Sequence, residues 1–187
     1  MQRGGHGPHE KGARFERKIC QRLSQWVSDF KRSDIFWRSA ASGAKARVSR
    51  KKGEKAKFAG QWGDISSVVS EGNFLTEVFI IECKHYNDIG FHATFYDKKT
   101  PIKRYWNDLR EIAFDAKKYP IIIIKENRRQ EIIGFDRFGK KVLAGFGLKP
   151  FVIFPTMDLH LYSFRDLISD IEFKDFAKRV NKKRSTM

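Results

Sequence analysis

Trp62-Gly63-Asp64-Ile65-Ser66-Ser67-Val68-Val69 runs into a polar Ser70-Glu71-Gly72-Asn73 segment. After Phe74-Leu75-Thr76-Glu77 comes a second apolar run, Val78-Phe79-Ile80-Ile81, ending in Glu82-Cys83-Lys84-His85. Alternating and β-branched residues on both sides of a Glu-Gly-Asn turn predict a β-hairpin. With Gly72 and Asn73 as the loop, Asp64 falls opposite Ile81; a loop one residue longer places it opposite Glu82. On a strand Glu82 and Lys84 share a face and Cys83 points away. Two carboxylates and an ammonium are therefore expected together at the end of an apolar hairpin, which is costly to bury without a purpose.

Upstream, from about Pro8 to Phe30, the residues Ala13, Ile19, Cys20, Leu23, Trp26, Val27 and Phe30 recur at three- and four-residue steps, the apolar stripe of a helix. Arg14, Arg17, Lys18 and Arg22 decorate its other faces. Glu16 lies at the inner face of the first turns, and periodicity alone reads it as half of a surface ion pair with a neighbouring arginine. The Gly- and His-rich residues 1–9 read as a flexible arm, His6 and His9 included. Ile35-Phe36-Trp37 is a short strand, and the small and hydroxyl residues of Arg38-Ser39-Ala40-Ala41-Ser42-Gly43 mark a tight loop. Residues 44–57 hold Lys45, Arg47, Arg50, Lys51, Lys52, Lys55 and Lys57 with almost nothing to bury. That is either a solvated loop or, given its place just before Asp64, one that tracks phosphates and orders on DNA.

Downstream, residues 87–100 read as irregular, with Phe91, His92, Phe95 and Tyr96 either stacking on unpaired bases or packing on the core. Residues 102–118 predict a helix burying Trp106, Leu109, Ile112, Ala113 and Ala116, stopped by Tyr119-Pro120. Ile121-Ile122-Ile123-Ile124 has the composition of a strand buried on both faces. A charged turn at 125–129 leads into a strand at 131–135; Phe151–Phe154 forms another, and Leu159–Tyr162 an edge strand. Ser163 caps one last amphipathic helix, with Asp166 in its first turn and Leu167, Ile168, Ile171, Phe176 and Val180 buried. The fold class expected is α/β, a mixed central sheet flanked by helices in a single domain. Its bounds are an arm at 1–9, a domain at 10–180 with a basic loop inserted at 44–60, and a basic tail at 181–187.

Over 187 residues, 38 Lys and Arg face 22 Asp and Glu, a net charge of +16. Such an excess points to a polyanionic partner. No apolar run approaches the ~20 residues of a membrane span, and Met1–Gly7 lacks the apolar core of a secretory signal. Cys20 and Cys83 have no metal-like spacing and suit a reducing compartment as buried thiols. A cytoplasmic, DNA-associated protein that is not secreted and does not engage a membrane is expected.

Hydrolysis of a phosphodiester needs a nucleophilic water, neutralisation of charge growing on the phosphate, and help for the leaving oxygen. The carboxylates of Asp64 and Glu82, with the main-chain carbonyl of Cys83, offer hard oxygens for Mg²⁺ or its substitute Mn²⁺. Lys84 adds a cation that positions or deprotonates water, or stabilises the pentavalent phosphate. The bland alternative is an ordinary strand whose end carries solvated charges.

Asp64…Glu82-Cys83-Lys84 resembles the core of the PD-(D/E)xK nuclease superfamily. Lys11-Gly12 followed by Glu16 and Arg17, then Arg38-Ser39…Ser42-Gly43, Gly63-Asp64-Ile65 and Ile81-Glu82-Cys83-Lys84, are similar in order to the archaeal-type Holliday junction resolvases. The resemblance implies a restriction-endonuclease-like fold and a metal-dependent DNA endonuclease. It promotes Glu16 to a site residue that binds metal directly or through water. It also implies a phosphate-contacting serine, Ser42 with Ser39 second, and a homodimer that nicks a four-way junction with Mg²⁺. DNA contacts are then expected from Arg38, Ser39, Lys45, Arg47, Arg50, Lys51 and Lys52. Gly63 stands where the family has proline, the basic insert is long, and the last helix extends the chain. The alternatives are a restriction-like, homing or repair nuclease of the same fold, or a non-catalytic nucleic-acid-binding protein. The junction-resolvase reading is compatible with a phage or mobile-element origin.

Overall fold

The computed structural model describes residues 8–39, 62–96 and 99–186. Helix α1 (Pro8–Val27) buries Phe15, Ile19, Cys20, Leu23 and Trp26 along one stripe. It ends before Phe30, which is exposed: Asp29 and Phe30 both have positive φ and turn the chain out of the helix. Ser24 ties α1 to the first strand. Its hydroxyl donates to the Cys20 carbonyl and accepts from the N–H groups of Ile35 and Phe36, at the start of strand β1 (Phe36–Arg38).

The predicted hairpin is not what forms. Strand β2 (Ile65–Ser67) pairs antiparallel with β1, Phe36 opposite Ser67 and Arg38 opposite Ile65. Residues 70–72 make a 3-10 turn, and helix α2 (Asn73–Val78) comes directly after it. Leu75 and Val78, three apart, bury one side of that helix. The second apolar run is strand β3 (Phe79–Tyr86), so Val78 belongs to the helix.

Helices α3 (Phe91–Thr94) and α4 (Pro101–Asp115) come next, so residues 87–100 are less irregular than expected. Tyr119-Pro120 does not stop α4, which ends at Asp115 and turns out at Lys117, of positive φ; Pro120 lies inside strand β4 (Tyr119–Glu126). Strand β5 (Ile132–Phe135) leads into helix α5 (Arg137–Leu143), a helix the sequence reading missed, capped by the Asp136 carboxylate on two backbone N–H groups. Strands β6 (Val152–Phe154) and β7 (Leu159–Ser163) are followed by two helices rather than one, α6 (Phe164–Asp170) and α7 (Phe173–Arg184). Ser163 caps α6 as read, and extended backbone at Ile171 and Glu172 separates the pair. The turns of α7 extend through Asn181–Arg184.

The sheet order is β3-β4-β5-β7-β6, with β3 and β4 parallel and the other neighbours antiparallel. Leu159–Tyr162 is therefore interior, and the edges of this sheet are β3 and β6. Pairing on both sides of β7 by β5 and β6 is what moves it inward. The four isoleucines of β4 split by parity. Ile121 and Ile123 join the core under α1, α5, α6 and α7, while Ile122 and Ile124 join the core under α4. Each is nearly water-free, and burying such a side chain is worth about 1.5–3 kcal/mol. The result is a mixed sheet with a helical layer on each face.

Candidate active site

Alternation along β3 sends Ile81 and Cys83 into the α1-side core and Ile80, Glu82, Lys84 and Tyr86 toward α4. Asp64 arrives at the outer edge of β3 from the β1–β2 ribbon. Its N–H donates to the Ile81 carbonyl at 2.8 Å, and its Oδ2 accepts from the Cys83 N–H at 2.8 Å. The expected juxtaposition of Asp64 and Ile81 is thus present without a hairpin. Gly63 permits it, with φ of +82° and a notional Cβ only 2.6 Å from the Ile81 carbonyl oxygen. A proline, locked near −65°, has no access to that conformation.

The Lys84 ammonium sits where three oxygens converge. It makes a close ion pair with Glu82 Oε1, donates to the Cys83 carbonyl at 3.3 Å, and lies 3.6 Å from Asp64 Oδ2. Burial raises the Glu82 pKa, and the Asp64 charge pushes it further up. Burial works to lower the Lys84 pKa, but Glu82 and Asp64 outweigh it and hold the amine above its ordinary value. The Cys83 thiol, fully buried on the other face, is pushed well up by burial and then by Asp64; it takes no part as a nucleophile.

Glu16 does pair with an arginine, but not with a neighbour on α1. Arg38 Nε, on β1, donates to Glu16 Oε2 at 2.5 Å. Burial raises the Glu16 pKa against the pull of Arg38, and Asp64 and Lys84 also act on it electrostatically. Ser39 is buried: its N–H donates to the Asp64 carbonyl at 2.9 Å and its hydroxyl meets the Ser66 hydroxyl at 2.6 Å. It therefore braces Asp64 within the fold. Ser42, Lys45, Arg47, Arg50, Lys51 and Lys52 lie outside the described residues.

Among the described residues no group of three or more His, Cys, Asp and Glu side chains is gathered to hold a metal. The converging donors are instead two carboxylates and one main-chain carbonyl, hard oxygens already turned toward a cation. That donor set fits Mg²⁺ or Mn²⁺ better than a thiophilic metal.

A family model described as "Phage putative PDDEXK endonuclease" matches residues 7–182. The chain belongs to this family. No curated protein and no solved structure matches it. Membership accounts for the mixed sheet flanked by helices and supports a nuclease.

Two side chains of this PDDEXK endonuclease escaped the sequence reading. Tyr86 and Tyr105 stack with centroids 5.6 Å apart and share a close hydroxyl–hydroxyl hydrogen bond. The Tyr105 ring also lies 5.2 Å from Lys84 Nζ. Parity along β3 could have signalled Tyr86, two residues beyond Lys84; nothing local marks Tyr105. His85 faces the α1 side, against the Phe15 ring and the Asn127 carboxamide, while His92 lies on α3 near Phe95.

Proposed function

We propose that this PDDEXK endonuclease hydrolyses phosphodiester bonds of DNA with a divalent metal, Mg²⁺ or Mn²⁺ in its place. Its proposed substrate is a four-way or otherwise branched junction, cut by a homodimer. The observation that carries the reading is the convergence of Asp64, Glu82 and the Cys83 carbonyl on one positive charge beside a buried edge of the sheet. Those three groups would hold the ion, with Glu16 reaching it directly or through water. The chemistry supplied by such an ion is acidification of water and neutralisation of charge on the phosphate.

The chain's own residues do the rest. The Ile81 carbonyl holds the Asp64 N–H and the Cys83 N–H holds its carboxylate, so that carboxylate is preorganised before a phosphate arrives. Lys84 places a positive charge beside the same oxygens, where it stabilises the extra negative charge of a pentavalent phosphate. Arg38 orients Glu16, and Ser39 braces the Asp64 backbone. Ser42 is assigned to the phosphate, and Lys45, Arg47, Arg50, Lys51 and Lys52, with Arg38, to the DNA backbone; Ser39, buried against Ser66 and Asp64, is a brace and not a DNA contact. The net charge of +16 supports a polyanionic substrate. Carboxylates set beside phosphate would repel it unless a cation intervened, which disfavours a non-catalytic binder.

No helix among the described residues is long and apolar enough to cross a membrane. Two unpaired, buried thiols support residence in the cytoplasm with the DNA. The test is cleavage of a synthetic four-way junction against a linear duplex of the same sequence, with Mg²⁺ or chelator. Metal-dependent cutting of the junction alone is expected. Equal cutting of both would replace the junction reading with a restriction-like, homing or repair nuclease. No cutting of any DNA with either metal would remove the catalytic reading.

A further inference from the structure

At the first turn of α4 a groove of about 520 Å³ is lined by Lys99, Thr100, Pro101, Lys103, Arg104 and Asn107. Three of these carry positive charge, and among the described residues no carboxylate lines it. Arg104, which lines the groove, and Lys84 of the candidate site meet the same ring. The Arg104 guanidinium lies 4.8 Å from the Tyr105 centroid and donates to the Tyr105 hydroxyl at 2.9 Å, and Lys84 sits 5.2 Å from the same centroid. Next to it, the Thr94 and Thr100 hydroxyls meet at 2.7 Å and fasten α3 to the start of α4. The turn after α3 presents Phe95 and Tyr96, 55% and 71% exposed. Phe95 is backed by Phe154, 4.9 Å between centroids, so its outer face is held firm.

We infer that this groove binds a single-stranded stretch of DNA adjoining the bond to be cut, phosphates on Lys99 and Arg104 and unpaired bases on Phe95 and Tyr96. The inference rests on the nuclease reading of the neighbouring site. A fully paired duplex offers phosphates to cations but hides its base faces. Exposed rings set next to cations match a strand whose bases are free to stack.

Binding is measured by fluorescence anisotropy in chelator, so that nothing is cut, with the full-length chain and two labelled probes: a blunt duplex, and that duplex carrying a single-stranded arm. The wild type should prefer the armed probe. Phe95→Ala with Tyr96→Ala should weaken armed-probe binding about tenfold or more and leave the blunt duplex within about twofold. Phe95→Tyr with Tyr96→Phe should restore it. Lys99→Ala with Arg104→Ala should weaken the armed probe and make its affinity less salt-dependent. Wild-type affinity in the aromatic double variant, equal loss on both probes, or no wild-type preference for the arm would each overturn the inference. Failure of the nuclease reading would show separately, as absence of metal-dependent cutting while arm binding persists.

Discussion

Asp64 has two separable duties, one by charge and one by shape. Its Oδ2 accepts the Cys83 N–H while its charge faces Lys84. Asp64→Asn keeps an acceptor oxygen and removes the charge; near-wild-type thermal stability with loss of DNA cleavage is expected. Asp64→Ala strands a buried N–H and should lower stability by about 1–3 kcal/mol, read from denaturant unfolding. If both variants unfold alike, the residue is structural only. Lys84→Met leaves Glu82 and Asp64 without their shared cation. It should cost up to about 3 kcal/mol in chelator, with part of the loss recovered by adding Mg²⁺. No metal response in the melting curve would count against the convergence as a cation site. At this scale the meeting of Asp64, Glu82 and Lys84 was legible from residue type, spacing and the apolar strand before them. Glu16 was not legible from periodicity, because its partner Arg38 is brought beside it only when β1 packs on α1.

Local periodicity reads elements well where one pattern competes with no other. The isoleucine run of β4 and the stripe of α1 are of that kind. Residues 70–78 are not: Gly72 and Asn73 make a good hairpin turn, yet Leu75 and Val78 also fit a helical face, and packing of that face decides. Gly63 is the hinge between ribbon and sheet. Gly63→Ala forces a methyl against the Ile81 carbonyl at a positive φ and should destabilise by more than the usual ~1 kcal/mol of such a change. Gly63→Pro should do more harm, and a stable Gly63→Pro protein would contradict the observed backbone. Glu131 joins α1 to the β4–β5 turn by accepting Lys18, Arg22 and Lys125. Burial would raise its pKa, but these cations, Lys18 foremost, together with its backbone hydrogen bond lower it from 4.5 to about 2. A depressed folded-state value contributes stability that is fully present above 4.5 and is lost as the pH falls toward 2. Glu131→Gln should lower the melting temperature at neutral pH and flatten its decline across that window; a parallel decline in both proteins would refute this.

Across the whole molecule, 38 cationic side chains against 22 acidic ones make ionic strength the master variable for DNA binding. Affinity should fall linearly on a log–log plot against salt, by about 0.9 per duplex phosphate contacted. Replacing Lys45, Arg47, Arg50, Lys51 and Lys52 with alanine should reduce that slope; an unchanged slope would mean that the segment touches no phosphate. The charge and the α/β class could be read from composition and element order. Sheet order could not, because whether β7 lies inside or at the edge depends on pairing between segments far apart in sequence.

Every acid and amine of the site lies between Glu16 and Lys84, yet β3, which carries two of them, finds its parallel neighbour only at Tyr119–Glu126. A nascent chain that has emerged only through α4 possesses all these groups and the bonds that tie Asp64 to β3, but not the strand against which β3 is laid. Synthesis therefore supplies the acids and the amine first and the strand that backs them later, so translation order runs opposite to the order of support.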